Sequence, residues 1–246
     1  MNVIITNDYD SMSRAAADLV INQVKSKPCS LICFPSGDSP SGVFKCLIAD
    51  ARAGKVDFSE CCFVGLDEWV GMGKDDEGSC TNFLYEHFFT PLNISPSMVR
   101  FFDAKAADLD ASCKAIDDFI KDVGPLDIML VGIGMNGHIG LNEPGTDFNL
   151  YSHYAALAPM TVTVGQKYFK QQTTLTKGIT LGLKHLQEAK MPALIASGSK
   201  KAEIVAKALK GEITNQLPAS IFQTLPLAVV ILDEAAAGGL GKSLGH

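Results

Sequence analysis

The sequence predicts an α/β fold: a single domain on a mostly parallel, Rossmann-like sheet with helices on both faces. Short, continuous apolar runs recur, such as Leu31–Phe34 and Ile128–Val131, and a run without polar alternation is what a strand buried on both faces requires. Segments with apolar residues three or four apart separate these runs, so strands alternate with helices. No tract rich in Gly, Pro or Ser marks a boundary, and the 246 residues are assigned to one domain, 1–246.

Val3, Ile4 and Ile5 form the first expected strand. Asp10 or Ser11 is expected to cap a helix in which Met12, Ala16, Val20 and Val24 recur every four residues. Leu31–Phe34 is the second strand, and the turn from Pro35 to Gly42 leads into a helix through Val43, Leu47 and Ile48. Cys62–Leu66 is a third strand running into Asp67, Glu68 and Trp69, and a polar loop then precedes a helix over about Thr81–Phe89. Beyond it, Ala115–Ile120 reads as helix, Asp127–Val131, Gly178–Leu183 and Ala193–Ser197 as strands, Lys201–Leu209 as helix and Ala228–Leu232 as the last strand. Residues 147–176 have no clear period and receive no assignment.

Composition narrows the function classes. A net charge of -6 and a pI near 5.3 argue against nucleic-acid binding, which needs a basic stripe. No apolar run is long enough to span a membrane, and the first residues lack the order of a signal peptide, so a cytoplasmic location is expected. The seven cysteines include no CxxC pair and no histidine in ligand register, which points to neither a metal site nor a disulfide framework. Cys33, Cys46 and Cys62 fall on apolar patterns and are expected to be buried thiols.

The chemistry concentrates in loops that follow strands, where open α/β sheets bind ligands. Val131–Gly145 sets His138 and Glu143 five residues apart in a glycine-rich turn, and a carboxylate that holds an imidazole makes a proton-transfer pair. Ser36, Gly37, Asp38 and Ser39 join strand to helix in the manner of a phosphate cradle, although small polar residues there also serve simply as caps. Asp67 and Glu68 come straight off a buried strand; they are either used at the site or serve as a cap or surface pair. Lys200 and Lys201 open a helix where one of them could meet a bound phosphate.

Together, LDEWV (Leu66–Val70), GMNGHIGLNEPG (Gly134–Gly145), SGDSP (Ser36–Pro40) and GSKKA (Gly198–Ala202) resemble the glucosamine-6-phosphate and galactosamine-6-phosphate isomerases (deaminases), in order and over nearly the whole chain. The resemblance implies conversion of a 2-amino-2-deoxyhexose 6-phosphate to a ketose 6-phosphate and ammonia, by a deaminase classed with the hydrolases and needing no metal or cofactor. It implies that Asp67 moves a proton between C2 and C1, that His138 and Glu143 assist ring opening, and that Ser36, Gly37, Asp38, Ser39 and Lys201 hold the phosphate. Lys167 aligns loosely with a phosphate-binding arginine. The glucosamine enzymes usually carry aspartate where this chain has Asn136, so Asn136 either leaves the relay to Glu143, His138 and water or reads a sugar hydroxyl. The NGH form, LDEWV and ITLGL (Ile179–Leu183) resemble the galactosamine branch more closely, and galactosamine 6-phosphate is the expected substrate. A 6-phosphogluconolactonase-like hydrolase and a non-catalytic sugar-phosphate sensor are the alternatives. The expected partner is a small amino-sugar phosphate, with no nucleic acid or membrane and with a homo-oligomer possible.

Overall fold

In the computed structural model, which describes residues 1–241, the apolar runs become the strands of two sheets. β1 (Asn2–Thr6) leads to α1 (Tyr9–Ser26). The cap of α1 is Asp8 and not the expected Asp10 or Ser11: the Asp8 carboxylate accepts the Ser11 N–H at 2.8 Å, which places Ser11 inside the first turn. β2 (Leu31–Phe34), α2 (Asp38–Arg52), β3 (Cys62–Gly65), the three-residue β4 (Asp67–Trp69) and α3 (Cys80–Leu84) follow. Next come β5 (Val99–Arg100), α4 (Leu109–Val123), β6 (Ile128–Val131), β7 (His153–Ala156) and α5 (Pro159–Gly165). β8 (Lys177–Thr180), α6 (Leu183–Glu188), β9 (Pro192–Ala196), α7 (Ala202–Lys210), β10 (Val229–Asp233) and α8 (Glu234–Ala237) complete the described chain.

Seven strands form an all-parallel sheet in the order β1-β10-β9-β6-β2-β3-β5. Both of its faces are covered. Along β2, β6 and β9, Leu31, Cys33, Met129, Val131, Leu194 and Ala196 point into one core with α4, α6 and α7. The alternating residues Ile32, Phe34, Ile128, Leu130, Ala193 and Ile195 point into the other, with α1 and α2. The chain winds outward from the centre in opposite directions, through β3 and β5 on one side and through β9 and β10 on the other. Strand order therefore reverses between β2 and β6, and the loops that follow those two strands diverge to open a crevice.

Several expectations need correction. The strand expected over Gly178–Leu183 ends at Thr180 and belongs to a second, antiparallel sheet, β4-β8-β7, because Leu183 already starts α6. The helix expected over Thr81–Phe89 changes after Leu84 into a π-helical turn, Tyr85–Phe89. The wider turn sends both Phe88 and Phe89 inward, where the Phe88 ring lies 5.1 Å from Phe34 and 5.4 Å from Phe44. Cys33 is buried as expected, but Cys46 and Cys62 are only half-buried; the fully buried neighbour is Cys61, whose thiol donates to the Pro28 carbonyl.

One ionic cluster closes the end of the sheet away from the crevice. Asp127, 1 % exposed, accepts from Lys27 Nζ at 2.6 Å, Lys190 Nζ at 2.9 Å and the Leu31 N–H at 2.9 Å. Asp127→Ala strands that N–H and is expected to cost ~1–3 kcal/mol in urea unfolding, with the slope of the transition unchanged.

Candidate active site

The crevice holds a cavity of about 280 Å³ whose wall includes Ser36, Gly37, Asp38, Ser39, Asp67, Asn136, His138, Lys167 and Lys201. Nine of the ten residues singled out from the sequence thus meet in one place, and the tenth, Glu143, stands directly behind His138.

At one end is an anion seat. Gly37 precedes α2 with φ of 107°, a conformation that favours glycine, and it offers no side-chain cap. The first-turn N–H groups of this 15-residue helix are consequently free for an anion, and the helix dipole favours one there. Lys201 donates its ammonium to the Ile133 carbonyl at the crevice floor. Burial, and then repulsion from Lys167, lower its pKa to about 8, as fits a cation short of a negative partner. Lys167 pairs with the exposed Asp38 carboxylate at 2.6 Å, so Asp38 serves the seat through its backbone and by steadying this lysine. The loop carrying Lys201 is fixed from below by buried Asp233, which accepts the Gly198 N–H at 3.0 Å and the Ser197 hydroxyl.

At the other end is a carboxylate, Asp67. Leu66 donates its N–H to the Phe34 carbonyl of the parallel sheet and accepts the Leu181 N–H at its own carbonyl, so the chain crosses there between sheets. Asp67, the next residue, faces the cavity, and Glu68 points the opposite way. Glu68 is 1 % exposed and is ringed by donors: Trp69 N at 2.9 Å, Ser79 Oγ at 2.6 Å, Cys80 N at 3.0 Å and Thr81 N at 2.9 Å. Burial first, and then the neighbouring Glu68 charge, push the Asp67 pKa up to about 7, against a smaller opposing effect of the Cys80 thiol.

His138 lies between these ends. The turn that carries it is closed by Gly134 N–H donating to the His138 carbonyl at 2.9 Å, and a Cβ on Gly134 would come within 2.4 Å of Nε2. Only glycine fits under that ring. Asn136 donates through Nδ2 to Glu143 Oε2 at 2.8 Å and accepts the His138 N–H at Oδ1. Burial works against a charge on Glu143, yet the neighbouring His138 and Thr161 and the hydrogen bond from Asn136 hold its pKa down to about 2. Asn142 is wholly buried and structural: its amide donates to the Ile139 and Leu181 carbonyls and ties this loop to the small sheet.

Sequence reasoning missed Ala158, Thr161 and Tyr168. Thr161 Oγ1 lies 3.1 Å from His138 Nδ1, Ala158 N–H donates to Glu143 Oε1 at 3.1 Å, and Tyr168 closes against Gly37. These residues lie in 147–176, which pack through Leu157, Val162, Tyr168, Phe169 and Leu175 on a small separate cluster around Trp69 and Leu141, and their sequence shows no clear apolar period.

The family of glucosamine-6-phosphate isomerases and 6-phosphogluconolactonases matches residues 7–229. A glucosamine-6-phosphate deaminase of Thermoanaerobacter pseudethanolicus is 35% identical over 238 residues, covering 96% of this chain and 94% of that protein. One from Lachnoclostridium phytofermentans is 38% identical over 232 residues, 94% of this chain and 98% of its own. Among solved structures, a monomeric glucosamine-6-phosphate deaminase superposes with a TM-score of 0.94 at 32% identity, over 97% of this chain and 100% of that one. The 6-phosphogluconolactonase of Trypanosoma brucei shares the fold, with a TM-score of 0.75 at 16% identity and 98% of each chain covered.

The raised pKa of Asp67 makes a stability prediction. Its ionised form is disfavoured in the folded state, so the penalty is full above pH 7, shrinks as pH falls through about 7, and is gone below the unfolded value near 3.8. Asp67→Asn is therefore expected to raise Tm by several degrees at pH 8 and by much less at pH 5, as read by calorimetry.

Proposed function

The chain belongs to the family of glucosamine-6-phosphate isomerases and 6-phosphogluconolactonases, and from that membership we propose that it is a deaminating amino-sugar-6-phosphate isomerase, with galactosamine 6-phosphate as the preferred epimer. The observation that carries the reading is one cavity with an anion seat at one end, an uncommonly basic carboxylate at the other and an imidazole between them. In this reading the 6-phosphate sits on the α2 amino terminus with Lys201 and Lys167. His138 takes the anomeric hydroxyl proton as the ring opens. Asp67 then removes the C2 hydrogen to give an enolamine and returns a proton to C1, which leaves a ketimine. Water adds at C2 and ammonia departs, so the net reaction consumes one water and releases one ketose 6-phosphate and one ammonia. A base with a pKa of about 7 suits a proton that must be both taken and given back near neutral pH.

Support for the galactosamine epimer comes from Asn136, where the glucosamine enzymes usually have aspartate, and from the LDEWV and ITLGL segments. Support for glucosamine 6-phosphate comes from the names of the relatives above. Soluble cytoplasmic enzyme is the setting we propose for either.

Ammonia release from the two epimers, measured side by side, decides the substrate. We expect release from both, with a higher kcat/KM for galactosamine 6-phosphate; the reverse ratio returns the assignment to glucosamine. Hydrolysis of 6-phosphogluconolactone with no ammonia from either amino sugar would overturn the reading in favour of a lactonase, and binding without turnover in favour of a sensor.

Lys201→Ala removes a charge-assisted contact worth about 1.5–3 kcal/mol and is expected to raise KM ~10- to 100-fold with a smaller change in kcat. Unchanged KM would remove Lys201 from the phosphate seat.

A further inference from the structure

The histidine and carboxylate of the site are not in direct contact of the expected kind. His138 Nδ1 is 3.5 Å from Glu143 Oε2, too far for a good N–H···O bond. At 3.1 Å from the same nitrogen is the hydroxyl of Thr161, a residue of α5 that is 4 % exposed and lines the cavity. We propose that Thr161 is a positioning residue whose hydroxyl, beside the His138–Glu143 pair, accepts from Nδ1–H of the imidazole and so leaves Nε2 as the proton acceptor.

The direction of the hydrogen bonds follows from what each group can do. Glu143 is anchored as an acceptor by Asn136 Nδ2 at 2.8 Å and by the Ala158 N–H at 3.1 Å, and a carboxylate can only accept. A lone pair on Nδ1 would face this carboxylate at 3.5 Å, so Nδ1 carries the hydrogen, and the Thr161 oxygen 3.1 Å away accepts it. When Nε2 takes the anomeric hydroxyl proton, no further proton has to move. The imidazolium keeps both hydrogens, and its charge faces Glu143 at 3.5 Å. Because that carboxyl is held down to about 2, the proton remains on the imidazole and is available for return to the sugar.

The role in ring opening rests on the proposed function, but the tautomer can be measured without any substrate, so the two fail separately. Imidazole nitrogen-15 spectra, with His138 assigned by the signal lost in His138→Gln, are expected to show a protonated Nδ1 and an unprotonated Nε2 in the unaltered protein. Thr161→Val, which keeps the shape and removes the hydroxyl, should move the pattern toward Nε2–H and lower kcat about tenfold or more, as for other groups that fix a catalytic imidazole. Thr161→Ser should restore both. An Nε2–H tautomer in the unaltered protein, or a Thr161→Val protein with unchanged spectrum and rate, overturns the proposal. Should Thr161→Val not fold, the spectrum of the unaltered protein decides alone.

Discussion

The backbone of Leu66 belongs to two sheets at once, and the site depends on that crossing. Its N–H completes the ladder to β2 while its carbonyl accepts from Leu181 at the end of β8. A strand that merely ended would release Asp67 into a mobile loop. A strand that continued would bury it in the core. Crossing between sheets instead leaves Asp67 half-enclosed at the crevice and, by the alternation of a strand, sends Glu68 to the opposite side.

Glu68 shows how a costly group becomes useful. An ionised carboxylate without solvent is tolerated only when its lone pairs are occupied, and four donors from Trp69 and the start of α3 occupy them here. The same bonds pin the loop over residues 71–79 to the site. Burial of Asp67 is the larger cause of its raised pKa, and the adjacent Glu68 adds to it. The opposite end of the cavity carries Lys201, Lys167 and the α2 amino terminus, so the two ends differ in charge.

α5 and the residues after it reach both ends. Ala158 and Thr161 bond to Glu143 and His138, while Lys167 and Tyr168 meet Asp38 and Gly37. Displacement of this segment would loosen the imidazole and the anion seat together. The two ends of the cavity therefore share one structural support.

Much of this was legible in the sequence. Unbroken apolar runs required strands covered on both faces, as Leu31–Phe34 and Ile128–Val131 are, and the glycine-rich turn after the latter required a site, since four glycines make poor core. Loops at strand ends had to converge once the sheet was parallel, which is why residues as distant as Ser36, Asp67, His138 and Lys201 were found together. What only the tertiary structure decided was long-range and without local pattern. The antiparallel partner of β4 lies more than a hundred residues away, and so its pairing with β8 left no trace in either segment. The hydroxyl that meets His138 Nδ1 comes from α5, and the basicity of Asp67 depends first on its own burial and then on its neighbour Glu68. Periodicity reports which side of an element meets a core; it carries no information about which loop side chains meet each other.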